Sequence, residues 1–167
     1  TVVTMYLLPE VNLQLRPSLL ALRPGTRIVS HDWDMGDWIA DRSMELAVPD
    51  KTIGLAKSSR VHLWIVPARV EGLWCGARGK RRAMLRLRQS FQFIAGEIEI
   101  DGKPSREISG RIDGASLVIE GKGAHPKGRM VLSFVAGGLH QGRTEGAYAT
   151  ASGLEWRPAK GASCALN

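Results

Sequence analysis

The sequence has two cysteines in 167 residues, Cys75 and Cys164. They lie far apart, and neither has a CxxC partner or a histidine at ligand spacing. This argues against a thiolate metal site and predicts two unpaired thiols that say nothing about redox compartment. No run approaches the roughly 20 apolar residues of a membrane-crossing helix. A signal peptide is lacking, and so is an initiator Met. The chain opens TVVTMYLLPE, already inside an apolar run, which predicts a piece of a longer protein, with any localisation signal in the rest of it. Also lacking is a glycine-rich loop that opens a helix. Gly72-x-x-x-Gly76 and Gly121-x-Gly123 precede no helical pattern and read as turn glycines.

What is present suits a folded chain with a real core, because 44% of the residues are hydrophobic and 23% charged. The two parts of the chain differ in kind. Residues 1–70 hold 8 Lys+Arg against 7 Asp+Glu, a net of +1, and 3 glycines. Residues 71–167 hold 15 against 9, a net of +6, and 16 glycines. A boundary falls near Ala68–Gly72, dividing the chain into residues 1–68, 69–159 and a frayed tail 160–167.

In the first part, Val2–Leu7 is a β-branched apolar run of the kind buried on both faces of a parallel sheet. Residues 10–22 place Val11, Leu15, Leu19 and Leu22 at helical spacing, with Pro17 a weak point. Arg23-Pro-Gly-Thr ends the helix, and Arg27–Ser30 is the next strand. Strand, helix and strand in about 30 residues make a βαβ unit with parallel strands. Two further strands, Ser43–Val48 and Val61–Val66, read as an antiparallel pair across a long connection, 50–59.

The stretch TVVTMYLLPEVNLQLRPSLLALRPGTRIVSHDWDMGDW resembles the second half of a bacterial class I S-adenosylmethionine-dependent methyltransferase. It is similar in outline to the lysine methyltransferases that act on the ATP-synthase c subunit. The resemblance covers about 70 residues. It implies a Rossmann-like sheet in which Val2–Tyr6 and Arg27–Ser30 are the fourth and fifth strands and Val61–Val66 belongs to the final antiparallel pair. It also implies S-adenosyl-L-methionine as cofactor, a protein or other amine as methyl acceptor, and the cytoplasm as default compartment. Thr4, Tyr6 and Leu7 would border the cofactor, and Tyr6, His31 and Asp32 would stand at the transfer cleft. The family's glycine-rich loop and its ribose-holding acid have no counterpart here, so the main cofactor motif would lie upstream of Thr1.

The loop Ser30–Trp38, SHDWDMGDW, fits that placement, since ligands of open α/β sheets bind beyond the carboxyl ends of the strands. A protonated amine acceptor needs a base, and His31 or Asp32 could orient or deprotonate it. The structural reading is that Ser30, Asp32 and Asp34 cap turns while Trp33 and Trp38 pack. A calcium loop is excluded. Counting from Asp32, the obligatory glycine position falls on Asp37 and the bidentate glutamate position on Ser43.

From Glu71 onward short alternating segments recur: Val70–Cys75, Ala83–Ile94, Glu97–Ile100, Ser116–Glu120, Met130–Val135 and Gly153–Trp156. Asp101-Gly and Asp113-Gly are hairpin signals between them. A small antiparallel barrel or sandwich is expected, so the fold class is α/β followed by all-β. Gly72-Leu-Trp and Gly153-Leu-Glu-Trp bear a slight resemblance to calycins. In Ala83–Phe93, Leu85, Leu87, Phe91 and Phe93 would share one face, and Arg86, Arg88, Ser90 and Gln92 the other. Arg78, Lys80, Arg81, Arg82, Arg86 and Arg88 form a basic run with no acid inside it. It is either a solvated hairpin and outer strand face or a surface for nucleic acid, anionic lipid or acidic protein. Two functions follow. One is the C-terminal part of a methyltransferase. The alternative is a non-enzymatic barrel that holds an anionic or apolar ligand.

Overall fold

A computed structural model describes residues 1–52, 56–122, 127–161, 163 and 164. Gly123 and the last three residues of the expected tail lie outside the described residues. The chain divides into two compact units, Thr1–Pro67 and Ala68–Asn167. Among the described residues it is mostly β, with one α-helix and a closed eight-stranded barrel. The helix is too short to cross a membrane.

The first unit is a four-stranded sheet in the order β1-β2-β4-β3. Strand β1 (Val2–Met5) leads into helix α1 (Pro9–Leu20) and then β2 (Arg27–His31), which lies parallel to β1 with Met5 opposite Ser30. Strands β3 (Arg42–Ala47) and β4 (Ser58–Ile65) are antiparallel to each other, and β4 is antiparallel to β2. Pro9 suits the first helical position, where its missing N–H would have had no partner.

Burial is one-sided. Ile28 and Ser30 of β2 stand opposite Trp64 and His62 of β4, and all four are buried with Met35 and Trp38. Two expectations are corrected. The run Val2–Leu7 is not buried on both faces: β1 is an edge strand with one neighbour, and only Met5 is buried within it. In α1 the buried residues are Asn12 and Leu19, while Leu15 stays exposed; the helix ends at Leu20, and Leu22, beyond it, is exposed too.

The second unit runs β5 (Gly72–Arg78), β6 (Arg81–Ser90), β7 (Phe93–Ile100), β8 (Arg106–Asp113), β9 (Ser116–Gly121), β10 (Gly128–Val135), β11 (Gly138–Gly146) and β12 (Glu155–Pro158). Each strand pairs antiparallel with the next, and β12 closes on β5. Of the two architectures anticipated, the unit is therefore a barrel and not a sandwich. Its interior is filled by side chains, among them Leu85, Leu87, Ile98, Ile112, Leu117, Leu132 and Trp156. Gly76 makes room for Trp156, because a Cβ there would come within 2.9 Å of the indole.

The segment Ala83–Ile94 is two strands. Phe91 and Gln92 form the turn between them, with Phe91 in the left-handed region at φ 52°. The turn shifts the alternation by one residue. Gln92 and Ile94 are buried, and Phe93 is exposed beneath the Arg111 guanidinium, 5.2 Å from its ring centre. Phe91 and Phe93 thus do not continue the Leu85–Leu87 face.

The cysteines are not free thiols. Cys75 of β5 and Cys164 form a disulfide with Cα atoms 5.5 Å apart. Closure of the barrel brings β12 alongside β5, and the chain beyond Pro158 returns along the same seam, with Ala159 N–H donating to the Leu73 carbonyl at 2.8 Å.

Candidate functional site

At the carboxyl ends of the parallel pair, the residues after Met5 and Ser30 are Tyr6 and His31. Their rings meet edge to face with centroids 4.6 Å apart. The imidazole is partly exposed, and its Nδ1 lies 3.6 Å from Asp32 Oδ2, beyond hydrogen-bond reach. Tyr6 is 67% exposed, and Leu7, Leu8 and Thr4 are exposed around it.

Asp32 sits in the left-handed region at φ 63°, a conformation that aspartate tolerates better than most residues. Its carboxylate accepts from Lys51 Nζ at 2.8 Å and from the Arg60 amide at 2.7 Å. Its own amide donates to the Arg60 carbonyl at 2.6 Å. The Lys51 hydrogen bond, followed by that from Arg60, holds the Asp32 carboxyl below its ordinary range. A carboxylate so fully engaged is a weak proton acceptor. Its position explains its bonds: it clasps the end of β2 to the start of β4 and fixes the connection that carries Lys51.

The rest of the loop is held from the helix. Asn12, fully buried, donates through Nδ2 to Ser30 Oγ and to the carbonyls of Trp33 and Asp34, at 3.1–3.3 Å. Arg16 donates to the Met35 carbonyl at 2.8 Å and pairs with Asp37. Asp34 accepts the Gly36 amide at 3.0 Å, a local turn bond. The two tryptophans separate: Trp38 is fully buried and its carbonyl accepts Trp64 Nε1–H at 2.7 Å, whereas Trp33 is 43% exposed. Only Trp38 is core. Asn12 and Lys51 were missed from the sequence. Asn12 had a signal, a polar residue on the inner helical face, while Lys51 had none in a connection without periodicity. Among the described residues no three His, Cys, Asp or Glu side chains gather as metal ligands.

The basic run lies in the barrel. Arg78, Lys80, Arg81 and Arg82 surround the β5–β6 turn, and Arg86 and Arg88 face outward on β6. Register places Glu97 opposite Arg86, and Asp101 lies 3.8 Å from Arg81 while accepting the Arg82 amide. The run is acid-free along the chain but meets acids from β7 across the sheet.

No family model matches the chain. A protein-lysine N-methyltransferase of Saccharolobus islandicus (strain REY15A) is 54% identical over 39 residues, which are 23% of this chain and 24% of that protein. The relationship is to methyltransferases. The chain spans about a quarter of the length of that methyltransferase. A solved structure, an RNA methyltransferase from Salinibacter ruber in complex with S-adenosyl-L-homocysteine, is 45% identical over 42% of this chain and 40% of that one, with a TM-score of 0.35.

Proposed function

We propose that residues 1–67 are the later strands of a Rossmann-like class I methyltransferase sheet, and that the parent enzyme transfers methyl from S-adenosyl-L-methionine to a protein lysine or similar amine. The observation that carries this reading is the parallel β1–α1–β2 unit, which brings Tyr6 and His31 together beyond its strand ends. The methyltransferase relationship supports it, and the protein-lysine substrate named for the S. islandicus relative motivates the acceptor class.

The described residues fit one wall of a cofactor site and not its adenosine end. Helix α1 begins at Leu8-Pro9, and Pro9 has no N–H to offer a ribose hydroxyl. No glycine loop opens a helix among the described residues. A segment outside them would hold the adenosine. S-adenosyl-L-methionine supplies an electrophilic methyl, for which in-line positioning is the chief demand on a protein. In this chain Thr4, Tyr6 and Leu7 would border the cofactor. His31 would take the proton of the acceptor ammonium, and Asp32 would position the loop without itself accepting a proton.

The test is methyl transfer to lysine-bearing substrate by the polypeptide in which residues 1–167 accompany the cofactor-holding segment. His31→Ala is expected to lower kcat by about 100-fold or more, since a general base typically contributes 10²–10⁴. Tyr6→Ala should raise the KM for the cofactor. Unchanged kinetics in both variants would remove the site.

A further inference from the structure

We propose that one end of the barrel is a binding surface for the phosphate backbone of nucleic acid, engaged without base-specific readout. The inference is independent of the methyl-transfer reading. In an up-and-down barrel alternate connections lie at the same end. The β5–β6 turn, the β7–β8 turn and the β11–β12 connection therefore share one rim with the end of β9 and the start of β10. The rim carries Arg78 and Lys80 at the first turn, Lys103 and Arg106 at the second, Lys122 just after β9 and Lys127 just before β10. All six are exposed and make no ion pair among the described residues.

The carboxylates near this rim are largely committed. Asp101 lies 3.8 Å from Arg81, Glu120 lies 3.8 Å from Arg129, and Glu145 lies 2.7 Å from Arg143. Glu107 is exposed on the outer wall, where the register sets it against Glu97. Between two of the connections is a cleft of 220 Å³ lined by Lys103, Arg106, Thr150 and the backbone of Gly146, with Ile98, Ile100 and Pro104 behind them. Two cations and a threonine hydroxyl on one cleft form a seat of the size and chemistry that a backbone phosphate takes.

The chain sequence shows only the 78–88 run as basic. Four of the six uncommitted cations here, Lys103, Arg106, Lys122 and Lys127, come from two later stretches that the barrel closure gathers. A membrane is the less suited polyanion. The large apolar side chains exposed on the barrel, Phe93 and Val135, flank turns at the opposite end, so among the described residues this rim presents no large apolar side chain to insert. Base stacking is disfavoured for the same reason, as no exposed aromatic stands at this rim among the described residues.

The experiment is titration of the full chain with a fluorescent 20-base-pair RNA duplex at several salt concentrations. Vesicles containing phosphatidylserine serve as the second probe. Affinity should fall with salt along a log–log slope no steeper than about −5, the value for six contacts at about 0.9 each in the duplex DNA relation. Lys103→Glu with Arg106→Glu should cost tenfold or more. Arg86→Glu with Arg88→Glu, the same charge change on the barrel wall, should cost less than threefold. Circular dichroism checks the fold. If the reversal pair unfolds, Lys103→Ala with Arg106→Ala replaces it, with a loss of about threefold expected. Equal losses from the rim and wall pairs would show that only net charge matters and would overturn the proposal. So would absence of duplex binding at 50 mM salt, or binding to the vesicles alone.

Discussion

Removing the Cys75–Cys164 bridge should loosen the barrel at its closing seam. The bridge spans 89 residues of sequence. In the chain-entropy account a loop of that length costs the unfolded state about 4–5 kcal/mol of freedom, and measured bridges contribute about 0–5 kcal/mol. The site of the bridge argues for a substantial fraction of that. Strand β12 meets β11 through two residue pairs and meets β5 through four, so the seam is the shortest pairing in the barrel. Cys75 lies within β5 at that seam. Taking about 2–4 kcal/mol, and about 4–8 °C per kcal/mol for a unit near 100 residues, Cys164→Ser should lower the barrel's melting temperature by about 10–25 °C. Scanning calorimetry with and without reductant measures this. Fluorescence of Trp74 and Trp156, both buried in the barrel, assigns the transition. Hydrogen exchange should accelerate first in β5 and β12. A shift below about 2 °C, in a sample shown by thiol titration to hold the intact bridge before reduction, would refute the reasoning.

Other outcomes follow from the first unit and the barrel wall. Asn12→Ala removes three donations to the loop and should cost about 2 kcal/mol in urea unfolding, with the loop amides losing exchange protection. Asp32 has a folded pKa below its unfolded value, so its contribution is complete above the usual carboxylate pKa near 4 and is lost as pH falls through the lower folded value. Lys51→Met should flatten that acid limb. Burial lowers the His62 pKa, so the unfolded chain takes up its proton first: stability should be steady above about pH 6.5 and decline as pH falls below it, a decline His62→Gln removes. Gly96→Val should prevent barrel folding, because a Cβ there would overlap the Arg86 carbonyl of the neighbouring strand, backbone that cannot swing aside. Circular dichroism of the purified variant tests it.

The elements legible in the sequence were those whose side chains alternate or repeat strongly. The βαβ pattern, the two antiparallel strands after it and strands such as Ser116–Gly121 and Gly128–Val135 fall in this class. Strands β8, REISGRID, and β11, GLHQGRTEG, did not stand out. Glycines and charged residues break their apolar alternation, and their strand state comes from being hydrogen-bonded on both sides inside a closed barrel. The turn at Phe91–Gln92 was hidden because two aromatics mimic a continuing strand, while the backbone reversal put Gln92 inside.

The site divides the same way. Local pattern sufficed to put Tyr6 and His31 at the ends of adjacent parallel strands, since a strand's polar terminus is written next to its apolar run. It did not suffice to assign Asp32, whose chemistry is decided by Lys51 and by Arg60, 28 residues further on. By itself the sequence determined which segments could be strand or helix, the charge contrast between the two parts, and the methyltransferase likeness of the first. Only the tertiary structure decided that two distant cysteines meet, that Trp33 and Trp38 part company, and that lysines and arginines from three separate stretches of the sequence come to one rim of the barrel. Those outcomes depend on which strands become neighbours, and strand pairing over long separations is set by burial of the whole inner face, a property no local stretch contains.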